Sequence, residues 1–220
     1  QARKAPMLGY VAHGIANPLV RLWLAMSSQS WRTLPRPTDS PVVHAAGSNP
    51  DRVLLLGSGI SVGYGVVSHD LALGGHLARA LSSITGRGAT VNVVGDPDTS
   101  PSTAWGSLAT LDLVRFDALV LTIGGLEVFT LMPAELWRRQ LEELLARLDD
   151  NAPASLSVFL VENGVPLLTG LPRVARALVA QHAGVINAET RRLAQSRSNT
   201  VFVEFDPDQE VQGALRAVFE

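Results

Sequence analysis

Cysteine is absent from this chain of 220 residues, which excludes disulfides, thiolate metal ligands and thiol nucleophiles. That absence fits a reducing compartment, and leaves both the cytoplasm and a membrane or envelope surface open as locations. Charge is scarce and balanced: 17% of residues are charged, with 18 basic against 20 acidic, for a net charge of -2. A nucleic-acid partner is not expected, because no broad basic field exists to hold a phosphate backbone. Long apolar runs are missing as well. The stretch from Leu8 to Met26 is interrupted by His13, Asn17, Pro18 and Arg21, so it lacks the uncharged span of about 18 residues that a transmembrane helix requires. There is no internal repeat. No compact His, Asp and Glu set has metal-ligand spacing, so neither a metal nor a cofactor is expected.

What the chain does have is enough apolar residue, 46%, to build the core of one ordinary domain. Residues 1–45 read as an N-terminal arm and Pro-rich connection, and residues 46–220 as the domain. Residues 1–36 hold five Lys/Arg and no Asp or Glu. Pro18 is placed to open a helix that groups Leu22, Trp23 and Met26. The arm either packs on the body or offers residues 8–31 to a membrane, a partner or a second copy. Pro35, Pro37 and Pro41 mark an extended connection.

Beyond residue 50, short apolar runs at 53–56, 91–94, 119–123, 156–161 and 200–205 read as strands. Helical spacing separates them: Leu73, Leu77, Leu81 and Ile84; then Leu136, Leu141, Leu144, Leu145 and Leu148; then 171–189, interrupted near Gly184. Such alternation predicts an α/β fold, a three-layer sandwich with a central, mostly parallel, five-stranded sheet. Sites in such sheets lie outside the carboxyl ends of the strands, where glycine permits close backbone approach. The first such loop, Gly57-Ser58-Gly59-Ile60-Ser61-Val62-Gly63, fails as a dinucleotide loop because its third glycine falls one residue late. It fails as a phosphate loop because no Gly-Lys-Ser/Thr follows.

The same loop, from Val53 to Val66, resembles the first block of the SGNH, or GDSL-like, esterase family, normally Gly-Asp-Ser after the first strand. Trp31-Arg32-Thr33-Leu34-Pro35-Arg36-Pro37 is similar to the arm before that block in an actinobacterial-type branch. Gly95 falls where the second block places an oxyanion-stabilising glycine, and Leu119 to Glu127 resembles the third block, normally ending Gly-x-Asn-Asp. Asp206-Pro207-Asp208-Gln209 is the best match to the last, Asp-x-x-His. The resemblance implies an SGNH-hydrolase-like, flavodoxin-like arrangement.

It also implies degenerate chemistry. Gly59 stands at the nucleophile position, Leu126 at the position of the amide donor, and Gln209 at that of the base. A serine hydrolase needs a hydroxyl, a base to take its proton and donors for the developing oxyanion. All three are lost at the matching positions. The expectation is a catalytically inactive binding, regulatory or structural module with a protein or lipid-like ligand. The alternative is an esterase or acyltransferase with a rearranged nucleophile, Ser58 or Ser61. A histidine near that loop, His69, is followed by Asp70. Ser58, Gly59, Gly95, Asp96, Gly125 and Glu127 form the candidate ligand-binding set. Turn formation alone explains the composition of Asp96 to Ser102, and capping of the turn toward Phe129 or contact with the first loop explains Glu127, ahead of ligand contact in both cases.

Overall fold

The computed structural model describes residues 11, 13–15, 18, 34–164 and 173–204. Strands β1 (Val42–Ala45), β2 (Asp51–Gly57), β3 (Ala89–Gly95), β4 (Ala118–Thr122), β5 (Ser157–Val161) and β6 (Thr200–Val203) form one sheet in the order β1-β3-β2-β4-β5-β6. All neighbours run parallel except β1, which pairs antiparallel with β3. The five expected strands are present. The sixth, β1, lies inside the stretch that sequence assigned to the connection. Its four residues, Val-Val-His-Ala, form an edge strand only because β3 offers a free side, with Val43 paired to Val91 and Val93 N–H donating to Pro41 O at 2.7 Å.

The helices are α1 (Leu73–Thr85), α2 (Pro101–Leu108), the short α3 (Gly125–Phe129), α4 (Ala134–Asn151) and α5 (Arg173–Gln195). Sequence expected a break near Gly184, but α5 runs through it without one. Strand alternation then sorts the core. Leu54, Leu56, Leu119, Leu121, Val158 and Leu160 face α2, α4 and α5, where Trp137, Leu141, Leu144, Leu145 and Ile186 are almost wholly buried. Val53, Leu55, Val91 and Val93 face Ala78, Leu77 and Leu81 of α1. Two layers of helix on a parallel sheet make the α/β sandwich. On the outer side of α4, Arg138 pairs with Glu135 and Glu142 at 2.8 Å, a solvated face as its charge pattern implies.

The chain leaves β2 for β3 on one side, then crosses back to β4 on the other. The strand order therefore reverses at β2, and the crevice between the carboxyl ends of β2 and β4 is the topological switch point where such folds place ligands.

Candidate functional site

Gly57, the last residue of β2, is in register with both Gly95 and Thr122. A Cβ on Gly57 would stand 2.1 Å from Thr122 Oγ1, and one on Gly95 the same distance from Gly57 O. The Gly57 end thus lies close against the Thr122 hydroxyl on one side and, through its carbonyl, against Gly95 on the other. Gly95 additionally has φ +124°, so a side chain there is excluded twice over. Ser58 N–H donates to Thr122 O at 3.3 Å, and Ser61 N–H to Ser58 O at 3.3 Å, which winds the loop into the 3-10 turn Gly59–Val62. Gly59 sits on that turn with φ +59° and nothing within 4 Å of where a Cβ would point. The position that the resemblance equates with the nucleophile therefore faces open space, without a side chain.

The turn after β4 is built differently. Gly124, at φ +115°, lies against the Asn163 side-chain amide, whose two polar atoms would each be 2.6 Å from a Cβ there, and against Trp137 at 2.7 Å. Gly125 has open space, Leu126 is half-buried and Glu127 is buried in the short helix that follows. Glu127 O accepts the Met132 N–H at 2.9 Å, a backbone bond that closes the loop into α4. Sequence reasoning missed Asn163. It follows β5 at the same sheet edge, and Asn187 of α5 fixes its backbone by accepting Asn163 N–H at 2.9 Å and donating to Asn163 O at 3.1 Å. An Asn two residues beyond the end of an apolar strand was the available signal.

Asp96 is exposed and spends its carboxylate locally. Its Oδ1 accepts the Asp98 N–H at 2.7 Å, while its own N–H donates to Thr99 Oγ1 at 2.8 Å, which is the turn role its composition suggested. Ser58 is half-buried and Ser61 is buried, and among the described residues no serine hydroxyl is hydrogen-bonded to a histidine. Gln209, with Asp206 and Asp208, lies outside the described residues, as does most of the arm at 8–31.

His69 is buried and has a partner, but that partner is Asp39 rather than the adjacent Asp70. Its Nδ1 lies 2.7 Å from Asp39 Oδ1, and its backbone N–H donates to both carboxylate oxygens at 3.1 Å. Burial works to raise the Asp39 carboxyl, yet the His69 side-chain and backbone hydrogen bonds outweigh it and hold the pKa below its ordinary value. The same segment is strapped over the first loop at three further points. Gly65 N–H donates to Pro35 O at 2.9 Å, Arg36 reaches Tyr64 OH at 3.1 Å, and Gly63 has no room for a Cβ against Pro37. Of the arm itself, His13 Nδ1 donates to Thr130 O at 2.8 Å, beside α3. His182 on α5 is held below its usual pKa chiefly by burial; a Met132 backbone hydrogen bond opposes the shift and the His13 charge adds to it.

Among the described residues no cluster of three His, Asp or Glu could hold a metal ion, and no helix is long and apolar enough to cross a membrane. Two surface depressions lie at the opposite, amino edge of the sheet. In the first, Asp51, Arg52, Arg87 and Asp117 consume one another's charge as the pairs Arg87–Asp51 and Arg52–Asp117.

No family model matches this sequence, and no curated protein matches it either. Solved structures do. A mutant of the esterase AlinE4 superposes with a TM-score of 0.60 at 16% identity, covering 77% of this chain and 84% of that one. AlinE4 itself, an SGNH-hydrolase family esterase, gives 0.56 at 15% identity over 72% and 77%. Phospholipase A1 from Streptomyces albidoflavus NA297 gives 0.51 at 17% identity over 77% and 83%. At these identities the likeness is one of fold. The described residues of this chain share the α/β sandwich fold of these SGNH-hydrolase structures.

Proposed function

We propose that this chain is an SGNH-like domain without covalent hydrolysis, which works as a binding, regulatory or structural module through the crevice between β2 and β4. One observation carries the reading: Gly59 sits at the start of the loop after β2, in a left-handed conformation with open space before it and no hydroxyl to direct there. Leu126 and Gln209 extend the loss to the donor and base positions. Fold alone does not preserve a reaction, because chemistry belongs to the side chains placed on it. A protein or lipid-like ligand suits a crevice in which Leu126 replaces a polar donor. Residues 8–31 are the proposed contact for a membrane or a second copy.

A second reading, an esterase or acyltransferase with a rearranged serine, is favoured by Asp39–His69. A carboxylate on Nδ1 orients an imidazole and leaves Nε2 to accept a proton. The two readings separate on incubating the folded protein with p-nitrophenyl butyrate and, in parallel, with a fluorophosphonate probe. The expected result is no turnover above buffer and no adduct by mass spectrometry. An adduct on Ser58 or Ser61, lost together with turnover in Ser58→Ala or Ser61→Ala, overturns the module reading.

A further inference from the structure

Four large apolar side chains are turned to solvent at the carboxyl edge of β2. Leu34 is 44% exposed, Val67 68%, Leu71 55% and Leu73 42%. They come from two segments that hydrogen bonds hold as one unit: the strap 34–39, and the stretch 65–73 that leads from the first loop into α1. At one end, Gly65 N–H donates to Pro35 O, and Leu34 Cδ1 lies 3.7 Å from where a Cβ on Gly65 would stand. At the other end Asp39 holds His69 by its ring and its backbone, and Leu71 N–H closes a turn on Ser68 O at 3.2 Å. Single exposed apolar residues are ordinary. Four on one pinned unit make a patch, and such a patch marks a contact. The other strongly exposed residues of this kind on the body of the fold include Ile84, at the far end of α1, and Val114, in the turn before β4, both toward the opposite edge of the sheet.

The charge leading into this patch is positive. Residues 1–38 contain Arg3, Lys4, Arg21, Arg32 and Arg36, and no Asp or Glu. Arg36 is exposed within the strap, its guanidinium 5.3 Å from the centre of the Tyr64 ring. The first acid, Asp39, is committed to His69, which leaves Asp70 as the exposed carboxylate of the unit. An apolar patch joined to a cationic segment matches an anionic bilayer: the cations hold the headgroups, the apolar side chains enter between them, and the two signals together give a hold that one alone does not. A second copy fits less well, because a symmetric contact at this patch sets the same cations against each other.

We propose that Leu34, Val67, Leu71 and Leu73 form a docking surface for an anionic lipid bilayer, with the basic arm as its electrostatic hold. This rests on the reading of the arm as a membrane contact and extends that contact to the loop walling the crevice, so docking brings the carboxyl edge of β2 to the lipid surface. Loss of hydrolysis does not enter it.

The chain has no cysteine, so a single introduced thiol takes an environment-sensitive dye without background. In the full chain, Val67→Cys, Leu71→Cys and, as a control at the opposite edge, Ile84→Cys are labelled with acrylodan and mixed with vesicles of phosphatidylcholine alone or with added phosphatidylglycerol. The expected result is sedimentation with the anionic vesicles only, weakened by salt, with a blue shift at Val67→Cys and Leu71→Cys and none at Ile84→Cys. Val67→Asp combined with Leu71→Asp is expected to lower the bound fraction severalfold without changing the Tm, while Ile84→Asp leaves binding intact. No sedimentation with either vesicle, or equal loss in Ile84→Asp, overturns the proposal. Sedimentation with no shift at either patch position also overturns it, and leaves the arm as the sole membrane contact. A blue shift that rises with protein concentration in the absence of vesicles assigns the patch to a second copy and overturns the proposal as well.

Discussion

Gly59 and Gly95 both sit at the carboxyl edge with positive φ, yet substitution should affect them very differently. At Gly59 the chain is left-handed at φ +59° and the Cβ direction is empty, so Gly59→Ser meets only the left-handed penalty, about 1–2 kcal/mol. For a domain of this size that corresponds to a fall in Tm of about 2–8 °C. At Gly95, Ala meets φ +124° and also a backbone carbonyl 2.1 Å away, at the point where β2 and β3 are in register. Relieving that clash means separating two paired strand ends, so backbone strain and overpacking add to about 2–6 kcal/mol. Thermal and urea melts of the two variants supply the comparison. Gly59→Ser is also the direct chemical question, since it places a hydroxyl at the position that the resemblance equates with the nucleophile, in unobstructed space. With Leu126 and Gln209 unchanged, it is expected to fold and to remain inert toward p-nitrophenyl butyrate and fluorophosphonate. Equal destabilisation by the two variants would refute the open-space argument. Phosphonylation of the introduced hydroxyl at a rate well above that of surface serines would show a competent base in place and refute the argument that the whole mechanism has been lost.

Asp39→Asn should loosen the strap on the first loop by removing the carboxylate that His69 grips. Because the Asp39 carboxyl is held below its ordinary 3.8, its contribution is full above that pH and fades as pH falls through the lower folded-state value. Melts of the two proteins should therefore differ at pH 7 and converge in strong acid, and a difference that persists there contradicts the assignment. Asn187→Leu removes the partner of the half-buried N–H and C=O of Asn163, at a cost toward the low end of about 1–3 kcal/mol per unsatisfied group. Hydrogen exchange should accelerate first at 162–164, and uniform acceleration over the whole sheet would argue against a local anchor.

The five parallel strands were legible because each is a short apolar run ended by a turn signal. β1 was not legible: Val42–Ala45 is too short and mixed to declare itself, and exists as a strand because the edge of β3 needs a partner. Gly184 shows the opposite error. A glycine that weakens an isolated helix is carried by the packing of Ile186, Ala183 and Val179 on the sheet.

At the candidate site the division is similar. The sequence by itself determined the fold class, the placing of Gly57, Ser58, Gly59, Gly95, Gly125 and Glu127 at or shortly after the carboxyl ends of strands, and the absence of a hydroxyl, an amide and an imidazole at the resembling positions. These are facts of residue type and local spacing. The pairing of Asp39 with His69 across 30 residues, the Asn163 amide laid on Gly124, and the contact of three strand ends at Gly57 were decided only by the tertiary structure. Each depends on which strands become neighbours and on which way a side chain points once they do, and no local window of sequence contains that information.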